Sequence, residues 1–379
     1  MTSPLDLPFD TDEMLAGLKP WIETESPTFD AAAVNRMMDL VQHELAALGA
    51  ITERIPGRMG LGDSVRATVP HPRAGEGGIL LLGHMDTVHP IGTLASLPFR
   101  REGAVCYGPG LMDMKGGNYV HIDALRKLLA AGVETPLPVT VLFTPDEEIG
   151  TPSTRELIET EAKRHKYILV PEPARPDGGA VIGRYAIARF DLQARGTPSH
   201  AGWQLAKGRS AIAKMARAVE HIESMTTEDC TFSVGVFHAG QWVNCVSSIC
   251  DAEVLTMAKT QALLDEGIER MLALNEPEAE VVMEVRRGVT RPVWEPDQPG
   301  TMAMLSLAQE IAGEIGFEIS GASAGGGSDG NFTGALGLPT LDSIGVRGAD
   351  LHTLNEHIQV DSLVERAKLA AALYCRLGA

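Results

Sequence analysis

Three continuous apolar runs stand out along the chain, and each stops at a residue able to bind a metal. Residues 79–82 lead into Gly83-His84, residues 139–143 into Thr144-Pro145-Asp146-Glu147-Glu148, and residues 167–170 into Pro171-Glu172. Unbroken apolar runs of this length suit strands buried on both faces, as in a parallel sheet. Between them lie stretches long enough for crossover helices; residues 118–129 carry Ala, Leu and Val at helical spacing and close at Gly132. Strand and helix therefore alternate over residues 11–183. Open α/β sheets bind ligands at the carboxyl ends of their strands, which is where these residues fall.

The pattern changes near Tyr185. Residues 187–194 alternate apolar and polar like a half-buried strand. A helix pattern follows at 209–225, then strand-like stretches at 231–237 and 251–258, a helix at 261–274 and a strand at 279–285. The order β-α-β-β-α-β is the ferredoxin-like signature and reads as an inserted domain. After Arg291-Pro292 the first style returns, with a helix at 301–315, a Gly-rich loop at 325–330, a strand near 338–346 and a last helix at 361–377. The predicted fold class is α/β. A discontinuous catalytic domain, 1–184 and 291–379, carries a mostly parallel sheet flanked by helices, and residues 185–290 form an inserted ferredoxin-like α+β domain.

Composition narrows the partners. The chain has 379 residues, 44% of them hydrophobic, enough for two domains and a sizeable core. A formal charge of −18 argues against nucleic acid or an anionic membrane as a partner. The five cysteines, Cys106, Cys230, Cys245, Cys250 and Cys375, show no CxxC spacing and read as reduced, mostly buried thiols. With no apolar segment near the ~18 residues of a membrane span, a cytoplasmic protein is the expectation.

The candidate chemistry is that of a metallohydrolase. His84 and Asp86 lie two apart, so on an extended segment both side chains share a face, and the carboxylate can hold the imidazole in a ligating orientation. A satisfied core histidine is the competing reading. Asp113 sits in a Gly-rich stretch, 107–117, before a helix; its carboxylate can bridge two ions or simply cap the helix. Glu147 and Glu148 at the end of a buried strand would repel each other and call for a cation or a raised pKa. On an extended chain they face opposite ways, one toward a metal and one toward the substrate water as general base. Three carboxylates, two divalent ions and one hydroxide sum to zero charge. Two histidines with carboxylates suit Zn2+, with Mn2+ or Co2+ as alternatives.

These motifs resemble those of the di-zinc exopeptidases and amidohydrolases that include glutamate carboxypeptidase, acetylornithine deacetylase, succinyl-diaminopimelate desuccinylase and aminoacylase. The matching stretches are 83–86, 110–117, 146–148, Glu172-Pro173, Ser199-His200-Ala201-Gly202, 325–329 and His352. The resemblance, nearest to the glutamate carboxypeptidase-like subgroup, implies that His84 and Glu172 hold one zinc, Glu148 and His352 the other, and Asp113 both. It implies that Glu147 is the general base and that Asp86 orients His84. The inserted domain would be a lid and dimerisation domain. Its His200 would reach the partner subunit's reacting carbonyl, Asn244 would lie near the substrate, Arg291 would hold a substrate carboxylate, and Gly326 and Gly327 would line the substrate loop.

Two departures limit what carries over. Met257 stands where many relatives have an arginine, so a second carboxylate contact is not implied. Trp203-Gln204-Leu205-Ala206 replaces the small residues and Pro-Glu pair common there; Trp203 is expected to pack within the lid, and if it borders the pocket it would favour a flat, apolar acyl group. The resulting expectation is a homodimeric hydrolase that cleaves an amide or peptide bond next to a free carboxylate, acting on an N-acyl amino acid or short peptide. Deacylation or deamination of a small metabolite at the same centre, and a binding protein without turnover, are the alternatives.

Overall fold

The computed structural model describes residues 3–379. The chain divides into two compact units. One comprises the chain up to Gly183 with Pro296–Ser323 and Ser328–Ala379; the other comprises Arg184–Glu295 with Ala324–Gly327.

In the first unit an eight-stranded sheet runs in the order Ile51–Ile55, Ser64–Thr68, Val139–Thr144, Ile79–His84, Tyr167–Val170, Thr340–Asp342, Ala180–Arg184, Gly321–Ala324. The four central strands, from Val139–Thr144 to Thr340–Asp342, are mutually parallel, while the outer pairs on one side run antiparallel. Both faces are covered, which explains the unbroken apolar runs. Ile79, Leu81 and Val141 join one core with residues of the helices Thr11–Glu23, Ala31–Ala47, Gly116–Ala130, Pro299–Ile315 and Asp361–Arg376. Leu80, Leu82 and Leu142 point the other way, against Ile158, Ala162 and Phe332 of the helices Arg155–Ala162 and Gly330–Ala335. At the rates usual for apolar burial, each fully buried leucine here contributes roughly 1.5–3 kcal/mol.

A second sheet in this unit, not foreseen from sequence, orders Gly348–Ala349, His357–Gln359, Val105–Tyr107 and Arg100–Glu102. All its neighbours are antiparallel. It ties the loop carrying His352 to the strand that enters the Gly-rich stretch at 108–117. The strand expected over 338–346 is only Thr340–Asp342, because Ser343 adopts φ 59° and turns the chain out of the sheet.

The second unit has the strands Ala186–Arg195, Cys230–Ala239, Ile249–Ala258 and Val282–Arg291, with the helices Ala211–Ser224 and Gln261–Leu272. The sheet order places Cys230–Ala239 at one edge, then Ile249–Ala258, Ala186–Arg195 and Val282–Arg291, all antiparallel. This is the β-α-β-β-α-β topology predicted. Residues 291–295 and 324–327, expected in the first domain, belong with this unit. Arg291 pairs with Ile187, Trp294 bridges Arg184, the Tyr185 N–H donates to the Ala324 carbonyl at 3.1 Å, and Arg184 Nη1 to Gly326 O at 2.7 Å. Among the described residues no helix is long and apolar enough to cross a membrane.

Candidate metal centre

Two groups of ligand atoms meet at the carboxyl edge of the large sheet, and they share Asp113. His84, Asp113 and Glu172 bring one atom each within 4.8 Å of one another, and so do Asp113, Glu148 and His352. His84 ends its strand, Glu172 follows Val170, and Glu148 lies in the turn after Thr144. The Asp113 oxygens face opposite imidazoles: Oδ1 is 3.3 Å from His84 Nε2 and Oδ2 is 3.0 Å from His352 Nε2. Glu172 Oε1 lies 3.8 Å from His84 Nε2, and Glu148 Oε2 3.4 Å from His352 Nε2. His352 has φ 64°, a left-handed conformation uncommon for a non-glycine residue and frequent at functional sites.

Position bears on the alternatives open in the sequence. Asp113 does not cap the following helix: that helix begins at Gly116, and its cap residue, Lys115, makes no side-chain capping bond. Nor is His84 a satisfied core histidine. Its Nδ1 is fixed 3.0 Å from the Asp86 carbonyl and 3.3 Å from Asp86 Oδ1, yet its buried Nε2 has no hydrogen-bonding partner of proper geometry. An imidazole oriented through one nitrogen, with its other nitrogen turned toward carboxylates, is a candidate metal ligand.

Asp86, fully buried, organises more than His84. Its Oδ1 accepts the Glu147 N–H at 3.2 Å; its Oδ2 accepts the Glu148 N–H at 3.2 Å and the Thr28 hydroxyl at 2.6 Å. These bonds fix Glu147–Ile149 as a single 3-10 turn. The extended geometry expected for Glu147 and Glu148 is therefore corrected: a turn, not strand alternation, separates their carboxylates. Asp146, buried beneath, accepts from the Ser153 N–H and hydroxyl and from Thr154, and Asp329 accepts from Thr144 and Thr151 on either side of the turn.

The electrostatics describe a cage built for cations. Burial, reinforced by the charge of Asp113, raises Glu148 and Glu172 well above the ordinary carboxylate range. Burial alone would lower His84, but the carboxylates of Asp113, Asp86 and Glu172 facing it together outweigh burial and raise the imidazole well above its usual value. Burial would raise Asp113, but His352 and His84 hold it below its usual value. Acids crowded so that they resist ionisation need a cation to ionise together. The donor set of two imidazoles and three carboxylates fits two borderline divalent ions.

Two buried charged residues beside the centre escaped the sequence reading. Lys115, buried, donates to the carbonyls of Trp21 at 3.1 Å and Thr24 at 2.8 Å; desolvation pulls its pKa down to about 7 against the charges of Glu356, Glu25 and Asp86. Glu356 accepts backbone N–H groups of the Asp113 turn. The spacing of a lysine after an aspartate, or a glutamate in a polar loop, carries no signal of burial.

The remaining predicted site residues lie in the second unit. His200 forms a bridge with Cys245, and the Ala201 N–H donates to the Asn244 carbonyl at 2.9 Å, so His200 and Asn244 sit on adjoining segments. Arg291 is buried at the end of its strand against Gly327, where an added Cβ would come within 2.9 Å of Arg291 Cδ; Gly326 accepts from Arg184. Trp203 is 91% exposed, not packed as expected, because it rides on an open turn with Gln204 and Leu205 exposed beside it; its N–H is held by His200 Nδ1 and its ring lies 6.4 Å from the His200 ring. All five cysteines are free; Cys245 is exposed.

Fold and centre together define a metal-dependent hydrolase built on a mixed, mostly parallel sheet. Comparison with known proteins sharpens this. The pattern of "Peptidase family M20/M25/M40" matches residues 80–376, and the chain belongs to that family. Carboxypeptidase G2 of Pseudomonas sp. (strain RS-16) is 32% identical, over 97% of this chain and 91% of that protein. Succinyl-diaminopimelate desuccinylase of Xanthomonas campestris pv. campestris (strain 8004) is 27% identical, over 89% of this chain and 92% of that protein. The crystal structure of the M20 family metallo-carboxypeptidase Sso-CP2 from Sulfolobus solfataricus shares the fold, with a TM-score of 0.78 at 16% identity over 97% of this chain and 99% of that one. The protein is a hydrolase of peptide or amide bonds.

Proposed function

We propose that this chain is a two-metal exopeptidase or N-acyl-amino-acid hydrolase that cleaves an amide bond next to a free carboxylate and releases the C-terminal amino acid. The observation that carries the reading is Asp113, whose two oxygens each face a different imidazole-carboxylate pair, with Glu147 on the adjoining turn. His84 and Glu172 would hold one ion, Glu148 and His352 the other, and Asp113 both. Zn2+ suits the donors best, with Mn2+ or Co2+ as alternatives.

When bound, the ions polarise the scissile carbonyl and acidify the attacking water. Glu147 accepts the proton of that water at a carboxylate oxygen as the water oxygen bonds to the carbonyl carbon. It then gives the proton to the amide nitrogen as the C–N bond breaks; the water's second proton passes from the new carboxyl group to the amine, leaving a carboxylate and an ammonium group. The Asp86 bonds to the Glu147 and Glu148 N–H groups keep base and ligand in fixed relation throughout. Arg291 would pair with the substrate carboxylate through its planar fork, with the backbone of Gly326 and Gly327 beside it. His200 would stabilise the oxyanion and Asn244 contact the substrate.

The enzyme would work as a homodimer in the cytoplasm. Support for the dimer comes from the edge strand Cys230–Ala239 and the exposed Phe237, Trp242, Val243 and Ile249 near it, an apolar margin that a second copy would cover. Five free thiols suit a reducing compartment. No observation favours deamination, or binding without turnover, over amide hydrolysis.

Two variants test the reading. Glu147→Gln is expected to keep both ions and lose at least about 100-fold in kcat, the lower range for general acid-base catalysis; retained turnover removes the assignment. Arg291→Ala is expected to raise KM selectively for substrates with a free carboxylate, and an equal effect on their amidated counterparts would overturn that role.

A further inference from the structure

The carboxylate of Glu356 has no place in the ligand set, yet it is bonded to two segments of the centre's framework. It is 1% exposed, in the loop between His352 and the strand His357–Gln359. Its Oε1 accepts the N–H groups of Met112 at 2.8 Å and Asp113 at 3.2 Å. Its Oε2 accepts the N–H of Gly110 at 3.0 Å and lies 2.6 Å from Nε2 of His89, itself buried. A carboxylate offers about four lone-pair sites, and four donors take them, so Glu356 is not left with capacity to ligate an ion.

Those four donors come from two of the three segments that converge on Asp113, and Glu356 itself comes from the third. His89 follows His84 on the segment leaving the central strand. Gly110, Met112 and Asp113 form the turn that presents the bridging carboxylate. Glu356 lies four residues after His352, with its N–H on the Thr353 carbonyl at 3.3 Å. A charged acceptor of several N–H groups is a short, strong tie, and this one closes all three segments onto one buried point.

We infer that Glu356, locked by His89, is a positioning residue that sets the spacing of His84, Asp113 and His352 and so tunes the affinity of both ions. The inference rests on the two-metal reading above. It explains why the Asp113 turn, rich in glycine and without a capping side chain of its own, holds its carboxylate between two imidazoles: its backbone donors are tied from across the chain. Outer-shell partners of this kind commonly change metal affinity by about 10- to 100-fold when altered. In Glu356→Gln one oxygen becomes an amide nitrogen, which must face a backbone N–H on either arm, so one arm of the tie opens.

The test titrates metal-free full-length protein with Co2+, following heat and the visible absorption of the bound ion, for wild type, Glu356→Gln, His89→Phe and His89→Gln. The inference expects two Co2+ in wild type, binding about 10- to 100-fold weaker with a shifted band in Glu356→Gln, a smaller shift of the same kind in His89→Phe, and His89→Gln nearer wild type because its amide can still donate. Should Glu356→Gln fail to fold, His89→Phe carries the comparison. Unchanged affinity and spectrum in the folded variants, with wild type binding two ions, would overturn the positioning role alone. Wild type that binds no Co2+ would overturn the two-metal reading and this inference with it.

Discussion

Replacing Asp86 by asparagine separates the framework of the centre from its ligands. The wild-type carboxylate accepts the N–H groups of Glu147 and Glu148 and the Thr28 hydroxyl, and it faces His84 Nδ1. The asparagine amide keeps one acceptor oxygen. Its better orientation leaves the oxygen toward Glu147 and puts the NH2 toward Thr28, whose hydroxyl can rotate to accept. The Glu148 N–H then has no acceptor at that point, at a cost of about 1–3 kcal/mol for a buried donor. Loss of the charge beside His84 lowers the basicity of a proposed ligand, for which a further fall of about 10- to 100-fold in metal affinity or turnover is typical. Asp86→Ala removes acceptors for three donors and should cost roughly 3–9 kcal/mol on the same scale. Urea unfolding of the metal-free proteins measures the first quantity, and metal titration with kcat measures the second. An Asp86→Asn protein within about 0.5 kcal/mol of wild type, with unchanged metal affinity, would refute the reasoning.

Other expectations follow from particular contacts. Glu161 is 3% exposed beside Arg66, Arg164 and His165; burial would raise its pKa, but its bonds to His165 and Arg66 bring it down to about 2. A depressed folded pKa stabilises above the unfolded value and is lost as pH falls toward 2. Glu161→Gln should therefore be about 1.5–3 kcal/mol less stable than wild type near pH 7, with the gap shrinking between pH ~4.5 and ~2 in urea titrations; a constant gap would contradict this. At Gly117 an added Cβ would lie 2.0 Å from the Pro171 carbonyl oxygen, so Gly117→Ala should cost about 1–3 kcal/mol by thermal unfolding and displace Glu172, weakening Co2+ binding; a neutral substitution would show that this approach is not tight. Trp203→Ala should change stability by less than about 0.5 kcal/mol, because the ring is exposed; if the ring borders the substrate, the variant also lowers kcat/KM for aromatic acyl groups relative to acetyl, and unchanged selectivity would exclude that role.

The sequence exposed the centre wherever a candidate ligand ends or closely follows a strand buried on both faces. His84, Glu148 and Glu172 could be found because an unbroken apolar run makes a following charged residue conspicuous, and the parallel order of those strands placed them on one edge. Asp113 stood out only by its Gly-rich stretch, which left a helix cap equally open, and the role of His352 came from resemblance. The sheet that joins their loops is made of strands of two or three residues, too short to show a period. Glu356 and His89 were invisible for a different reason: a buried carboxylate whose partners are backbone N–H groups leaves no complementary residue type in the sequence. The turn at Glu147 was misjudged as extended because the acceptor that bends it, Asp86, lies 61 residues away. Trp203 was expected to pack because large aromatics usually do; its open turn depends on contacts that pattern does not encode.

The central claim is metal-dependent cleavage next to a free carboxylate. It is tested most directly by measuring amine release from a panel of N-acyl amino acids and dipeptides, each with its C-terminally amidated counterpart, using zinc-loaded and chelator-stripped protein side by side. The account predicts release from the free-acid substrates that disappears on stripping and returns with the metal. Equal rates with and without metal, or no preference for the free carboxylate, would contradict it.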